Sequence, residues 1–226
     1  MVQPKSFSEK LKNLFRNYGF MIGCYFAFFA ILGILTSSFP NLDLDQYQQT
    51  ELFKMLDESP LRFAVMALIV APVLEEGIFR SLVKPSKNNI LFFLTTTLII
   101  TGTFLIPQEV HWLISFFLCS FAGVLIFLFL KAIIPQKPLH RLCKMLTSAY
   151  RHVWFLSSLI FGLVHIYNYV PAFEVNLPLF LLIFPRIIAG FFFGKIKIEN
   201  NSLIWPIAMH TMNNSIILFL FIPKMF

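Results

Sequence analysis

The chain has 226 residues, of which 58% are hydrophobic and only 13% are charged. A soluble globular domain is about half apolar and a quarter charged, so this composition excludes a water-soluble globule. The net charge is +7, but the basic residues lie in short segments beside apolar runs, where Lys and Arg set membrane orientation and meet anionic headgroups. We therefore expect the lipid bilayer as a partner and no nucleic acid.

The first apolar run, residues 19–39, predicts a membrane span that is retained in the mature protein. It follows a basic tail that contains Lys5, Lys10, Lys12 and Arg16. The run is too long for a secretory signal peptide, and no small-residue cleavage site follows it. We therefore expect a basic cytoplasmic N-terminal tail over residues 1–18 and a single transmembrane domain over residues 19–226.

Six further apolar runs follow an acidic segment at residues 40–60, part of which has the character of an interfacial helix. A helix needs roughly 20 mostly apolar residues to cross a bilayer. The runs cover residues 61–83, 90–106, 110–134, 153–170, 177–198 and 203–222. The sequence predicts an all-α fold, a polytopic transmembrane helical bundle with seven or eight spans.

The distribution of basic residues predicts the orientation of these spans. A cytoplasmic N-terminus places the basic segment 135–152 on the cytoplasmic side, together with Lys84, Lys87, Lys195 and Lys197. Lys224 is a mild exception. Because Lys and Arg are enriched in short cytoplasmic loops, the pattern favours an integral membrane protein with its N-terminus in the cytoplasm.

Three charged residues interrupt the second apolar run. Glu76 and Arg80 are four residues apart, so they share one face of a helix and can pair. Glu75 is turned by about 100° from Glu76 and can face a cavity instead. A charge at the bilayer centre costs at least about 2.5–3.5 kcal/mol and usually marks a functional site. The simpler alternative is that both glutamates pair with Arg80 or a neighbouring helix.

Two later runs also carry polar side chains at helical spacing. Phe161 and His165 share one face in the fifth run, and His210 and Asn214 share one face in the seventh. On the predicted topology Glu75, His165 and His210 all lie roughly 15–18 Å from the cytoplasmic ends of their helices. Taken singly, each of these residues could serve only to form a hydrogen bond between helices. The common depth of the three residues instead favours one shared site.

Such a group of side chains suits the hydrolysis of an amide by water. The reaction needs a base that removes a proton and donors that hold the developing oxyanion. Glu75 is the candidate base, with His165 orienting the water, and His210 and Asn214 are candidate oxyanion donors. No nucleophile motif such as Gly-x-Ser-x-Gly is present, so direct attack by water is favoured over an acyl-enzyme.

The motifs together resemble the CPBP (Abi) family, which includes CAAX prenyl endopeptidases and bacteriocin-processing or bacteriocin-immunity membrane proteins. The resemblance lies in Glu-Glu-x-x-x-Arg, Phe-x-x-x-His and His-x-x-x-Asn, in this order on separate apolar runs, formed by Glu75, Glu76, Arg80, Phe161, His165, His210 and Asn214. It implies an intramembrane endopeptidase of the glutamate type in which Glu75 and His165 activate water and His210 and Asn214 form the oxyanion site. Glu76, Arg80 and Phe161 would be structural.

The resemblance also implies a peptide or protein substrate that is associated with the membrane. The length and compact loops favour the prokaryotic branch of the family, and hence the plasma membrane of a prokaryote. No cofactor is expected. Zinc bound by Glu75, His165 and His210 is an alternative, because two histidines and a glutamate form a known catalytic ligand set.

Two other functions compete with the protease. A non-catalytic binding or immunity protein would retain the scaffold without needing both histidines. A small transporter would use Glu75 and the histidines as a proton relay, but the sequence lacks the internal repeats that many transporters have.

Overall fold

The computed structural model describes residues 5–39, 42–107 and 109–221, and regular structure in these residues is entirely helical. The predicted all-α class is therefore confirmed. The α-helices in chain order are α1 (Phe7–Ser38), α2 (Thr50–Glu58), α3 (Pro60–Val65), α4 (Ala71–Phe79), α5 (Lys87–Thr103), α6 (Trp112–Ile133), α7 (Gln136–Ser148), α8 (Tyr150–Val164), α9 (Leu177–Asn200) and α10 (Ile204–Phe221).

The described residues contain three helices that are long and apolar enough to cross a membrane, namely α1, α6 and α9. The predicted count of seven or eight spans goes beyond this finding and stays a prediction. The other apolar runs form shorter or interrupted helices: α5 has 17 residues and α8 has 15, and the second run is divided between α3 and α4.

Two helices extend beyond what the apolar runs indicate. Helix α1 begins at Phe7, within the basic tail, because Ser6 and Glu9 form a capping box: the Ser6 hydroxyl accepts from the Glu9 N–H and the Glu9 carboxylate accepts from the Ser6 N–H. The basic segment after α6 contains α7, whose Leu139 is buried against α5. The expected boundary at residues 18 and 19 falls inside α1, and the division of the chain into tail and membrane domain stays a prediction.

The second apolar run is interrupted by a π-helical turn, Met66–Val70, between α3 and α4. The Ala71 N–H donates to the Met66 carbonyl, five residues back, so the Ala67 carbonyl loses its normal helical donor. Asn214 of α10 replaces that donor, since its amide nitrogen donates to the Ala67 oxygen at 2.8 Å.

Pro72 produces a second free carbonyl in the same turn. Proline has no N–H to donate four residues back, so the Leu68 carbonyl loses its normal α-helical donor. The Thr211 hydroxyl of α10 donates to it at 2.9 Å. Because unsatisfied backbone groups are costly inside a bilayer, these two bonds fix α10 against the start of α4.

Helices α8 and α9 pack closely through glycines. A side chain at Gly162 would meet Ile187, whose backbone nitrogen lies 3.1 Å from an ideal Cβ, and one at Gly194 would meet the Trp154 ring. The Trp154 indole N–H also donates to the Phe191 carbonyl at 2.9 Å. Beyond this contact, the turn that begins at His165 packs on the N-terminal half of α9, where Ile166 is buried with Leu179 and Ile183.

We predict that Gly162→Ala destabilises the protein. The added methyl group overlaps Ile187, and overpacking of this kind costs about 1–3 kcal/mol, more than the ~1 kcal/mol that alanine gains from helix propensity. Gly123→Ala in α6 is the matched control, because its Cβ would lie 3.8 Å from Ile99, at ordinary contact distance. Thermal unfolding in detergent should show a lower midpoint for Gly162→Ala alone, and equal midpoints would contradict the packing argument.

Candidate active site

The structure brings Glu75 of α4 together with both predicted histidines. Its Oε2 atom lies 3.8 Å from the Nε2 of His165 and 3.9 Å from the Nε2 of His210. These side chains come from three separate helical segments, and the first and last, Glu75 and His210, are more than 130 residues apart in sequence. The geometry agrees with the expectation that the three motifs form one site.

The orientation of His165 follows from the end of α8. The helix stops at Val164 and a 3₁₀ turn runs from His165 to Asn168. The His165 Nδ1 lies 2.6 Å from the Phe161 carbonyl oxygen. A carbonyl only accepts hydrogen bonds, so this contact places the imidazole proton on Nδ1. The neutral ring then presents the lone pair of Nε2 toward Glu75.

His210 is held by the second glutamate of the pair. Its Nδ1 lies 3.0 Å from the Glu76 Oε1 atom, and the other Glu76 oxygen lies 3.3 Å from the Arg80 Nε. The Glu76 and Arg80 side chains are fully buried. The predicted pairing within one helix face is therefore present, and it extends to His210 on α10.

Arg80 has further partners on α8. Its Nη1 donates to the Ser157 carbonyl at 3.4 Å, and its guanidinium lies 4.8 Å from the centre of the Phe161 ring. Such cation–π contacts are worth about 2 kcal/mol or more when desolvated. The buried charge thus links α4 to α8 as well as to α10.

Phe161 lies at the centre of the site. Its ring is 4.8 Å from the His165 ring and meets the His210 ring edge-on at 5.8 Å. Phe193 of α9 stacks on the other side of His210 at 4.8 Å and 21°. The Phe-x-x-x-His spacing indicated the first contact, whereas Phe193 is one of 29 phenylalanines and no sequence pattern distinguished it.

Asn214 makes a hydrogen bond that its spacing from His210 did not indicate. Its amide nitrogen donates to the Ala67 carbonyl of the π-helical turn. A side-chain amide nitrogen carries two hydrogens, so one N–H is engaged there and one is available. The residue has a clear structural role beside any catalytic one.

Exposure differs sharply across the site. The side chains of Glu75 and His165 are 30% and 16% exposed, and that of His210 is 5% exposed. Glu75 is therefore the acidic group that a substrate can reach, whereas Glu76 is enclosed.

Sequence reasoning did not single out Arg186, which lies near the site. This residue of α9 is only partly buried, and its Nη1 atom donates to the hydroxyl of Tyr169, which follows the 3₁₀ turn that begins at His165. The rule that identified Glu75, a charge within an apolar run, also applies to Arg186.

Among the described residues, the side chains as they stand do not form a metal site. Ligands at about 2.0 Å from a tetrahedral zinc lie roughly 3.3 Å apart, closer than the separations from Glu75 to His165 and His210. Within residues 5–39, 42–107 and 109–221, no group of three or more His, Cys, Asp or Glu side chains is arranged to hold a metal ion.

We predict that Glu76→Gln destabilises the fold strongly. Removing the carboxylate charge leaves Arg80 buried without its counter-ion, and breaking a buried pair in this way costs about 3–5 kcal/mol. Glu75→Gln is the matched control, because Glu75 is partly exposed and is not paired with Arg80 within 4.0 Å. Thermal unfolding in detergent measures both, and a larger loss for Glu75→Gln would contradict the structural assignment of Glu76.

Comparisons with known proteins support the resemblance seen in the sequence. A family model described as "Type II CAAX prenyl endopeptidase Rce1-like" matches residues 57–216, well over half of the chain. This region contains all three motifs. No curated protein and no solved structure matches the chain.

Proposed function

Because the chain belongs to the Rce1-like type II CAAX prenyl endopeptidase family, we propose that it is an intramembrane endopeptidase that hydrolyses a peptide bond with an activated water molecule. The observation that supports this most directly is the position of the Glu75 Oε2 atom, which faces the Nε2 atoms of His165 and His210 at 3.8 and 3.9 Å. Polar atoms at such separations are suited to sharing a bridging water.

Glu75 is the proposed general base, with His165 as its partner. A water that donates one hydrogen to the Glu75 carboxylate and the other to the lone pair of the His165 Nε2 has its own oxygen lone pairs directed away from both residues. As that oxygen bonds to the carbonyl carbon of the substrate, Glu75 takes one proton. The C–N bond then breaks, and the proton passes to the leaving amine, so that the products are a carboxylic acid and an amine.

His210 and Asn214 are the proposed oxyanion donors. Glu76 holds the Nδ1 atom of His210 at 3.0 Å and so orients the ring with its Nε2 atom toward Glu75, where an Nε2–H would donate to the oxyanion. Asn214 contributes the N–H that Ala67 does not use. Donors that are already oriented need no rearrangement as charge develops on the substrate.

The proposed substrate is a peptide or protein associated with the lipid bilayer, because the active site is in an integral membrane protein with apolar helices. The proposed orientation has the N-terminus in the cytoplasm, and the proposed location is the plasma membrane of a prokaryote. The basic residues of the short connecting segments support this orientation.

We predict that Glu75→Gln lowers cleavage by about 10²–10⁴-fold, the usual contribution of a general base, while the protein still folds and inserts. Peptide products from membranes that contain wild type or variant can be compared by mass spectrometry. The control is Glu58→Gln, an exposed glutamate of α2, which should cleave like wild type. Undiminished cleavage by purified Glu75→Gln protein would refute the base assignment.

Metal chelation provides an independent test of the mechanism. A carboxylate base needs no metal, so we expect EDTA and 1,10-phenanthroline to leave the rate of cleavage unchanged. The measurement is the rate of peptide-product formation by purified protein before and after chelation. Inactivation that added zinc reverses would favour the zinc mechanism instead.

A further inference from the structure

Arg186 is a cation within a candidate membrane span whose counter-ion is missing among the described side chains. The ion pairs of the described residues include Arg16 and Arg80 but not Arg186. Its contacts are neutral: Nη1 donates to the Leu182 carbonyl at 3.2 Å and to the Tyr169 hydroxyl at 3.3 Å. A guanidinium has five N–H donors, and these two bonds involve one nitrogen.

The comparison with Arg80 shows what a structural arginine looks like in this protein. Arg80 is fully buried, pairs with Glu76 and lies 4.8 Å from the Phe161 ring centre. Arg186 is partly exposed, and its partners are all neutral: the Leu182 carbonyl, the Tyr169 hydroxyl and the Tyr169 ring, whose centre lies 5.7 Å from the guanidinium. Since charges inside membranes are normally paired, the surroundings of Arg186 are those of a group whose anionic partner comes from outside the chain.

The position of Arg186 connects it to the active site. Tyr169, which accepts its hydrogen bond, directly follows the 3₁₀ turn that begins at His165. The next residue of α9, Ile187, packs against Gly162 of α8. An anion bound by Arg186 would therefore lie at the contact between α8 and α9, on the side of the site that His165 occupies.

We propose that Arg186 binds a carboxylate of the peptide substrate and so selects bonds that lie close to a carboxylate. This inference rests on the proposed endopeptidase function and names a feature of its substrates. Carboxylates are the anionic groups of an unmodified peptide, and the planar guanidinium fork matches them in bidentate geometry. The carboxylate is either that of the substrate C-terminus or that of an Asp or Glu side chain.

The test uses a peptide library from a digested proteome in two forms, one with free carboxyl groups and one with every carboxyl group amidated. Purified wild type, Arg186→Gln, Arg186→Lys and Glu75→Gln are incubated with each form in detergent, and new termini are identified by mass spectrometry. Arg62→Gln is the matched control, because Arg62 lies in α3 and lines a separate groove between α3, α5 and α6.

Wild type and Arg62→Gln should cleave the free library and largely spare the amidated one. For a peptide cleaved by wild type, Arg186→Gln should lower kcat/KM about 10- to 100-fold, the range expected for loss of a charged hydrogen bond, mainly by raising KM. Arg186→Lys should recover part of that loss. Equal cleavage of both libraries by wild type would overturn the carboxylate proposal while leaving the endopeptidase proposal intact.

Two synthetic variants of a cleaved peptide separate the sources of the carboxylate. One has a C-terminal amide, and the other has Asn or Gln in place of Asp or Glu. Sensitivity to Arg186→Gln should disappear with whichever variant lacks the bound carboxylate. Persistence of that sensitivity in both variants would contradict direct binding.

Binding without cleavage keeps the two proposals distinguishable. Immobilised Glu75→Gln protein should retain carboxylate-bearing peptides of the free library, and the Glu75→Gln, Arg186→Gln double variant should retain fewer. If wild type cleaves nothing, the endopeptidase proposal fails, and retention by this pair still decides whether Arg186 binds carboxylates. Equal retention by the two proteins would overturn the inference.

Discussion

The fully buried ion pair between Glu76 and Arg80 is the interaction on which the rest of the site depends. Desolvating two charges costs several kcal/mol per ion, and further hydrogen bonds help their attraction to offset that cost. Here His210 contacts one Glu76 oxygen, and the Ser157 carbonyl and the Phe161 ring contact Arg80, while the Arg80 Nη2 atom has no hydrogen-bond partner among the described residues. The partners lie on α8 and α10, so the cost of burying the pair is offset only when both helices are docked on α4. The same contacts that make the charges tolerable therefore assemble the three motif helices.

The interruption between α3 and α4 has a related consequence. A regular helix would satisfy its own carbonyls and would need no particular neighbour. The π-helical turn and Pro72 leave two carbonyls that α10 satisfies through Thr211 and Asn214. Thr211 directly follows His210, and Asn214 lies one helical turn after it. The two bonds therefore fix both the position along the helix axis and the rotation of the His210 ring relative to Glu75. A break in a spanning segment is tolerated here because a neighbouring helix supplies the missing donors, and it determines the geometry of the site.

The sequence was sufficient for features that arise from local spacing or from the cost of burying polar groups. The i,i+4 rule correctly paired Glu76 with Arg80, and the common depth of three polar residues correctly grouped Glu75 with both histidines. Other features depend on contacts between distant segments. The bond from Asn214 to Ala67 requires the π-helical turn, which no periodicity signals, and Phe193 is identical in type to many lipid-facing residues. Helix boundaries failed where local capping extended a helix, as at Ser6, or where amphipathic character was hidden in a basic loop.

The pattern of exposure distinguishes the roles of the charged groups more clearly than their chemistry does. Glu76 and Arg80 are enclosed, and His210 is nearly so, whereas Glu75 is 30% exposed. The site is thus anchored on one side and accessible on the other, with Glu75 at the boundary. Arg186 is also only partly buried, and it donates to Tyr169, which follows the 3₁₀ turn that begins at His165. A charge is screened far less in an apolar environment than in water. If Arg186 binds the substrate as proposed, its charge would therefore act strongly on an anionic group of the peptide and would orient the peptide before water attacks.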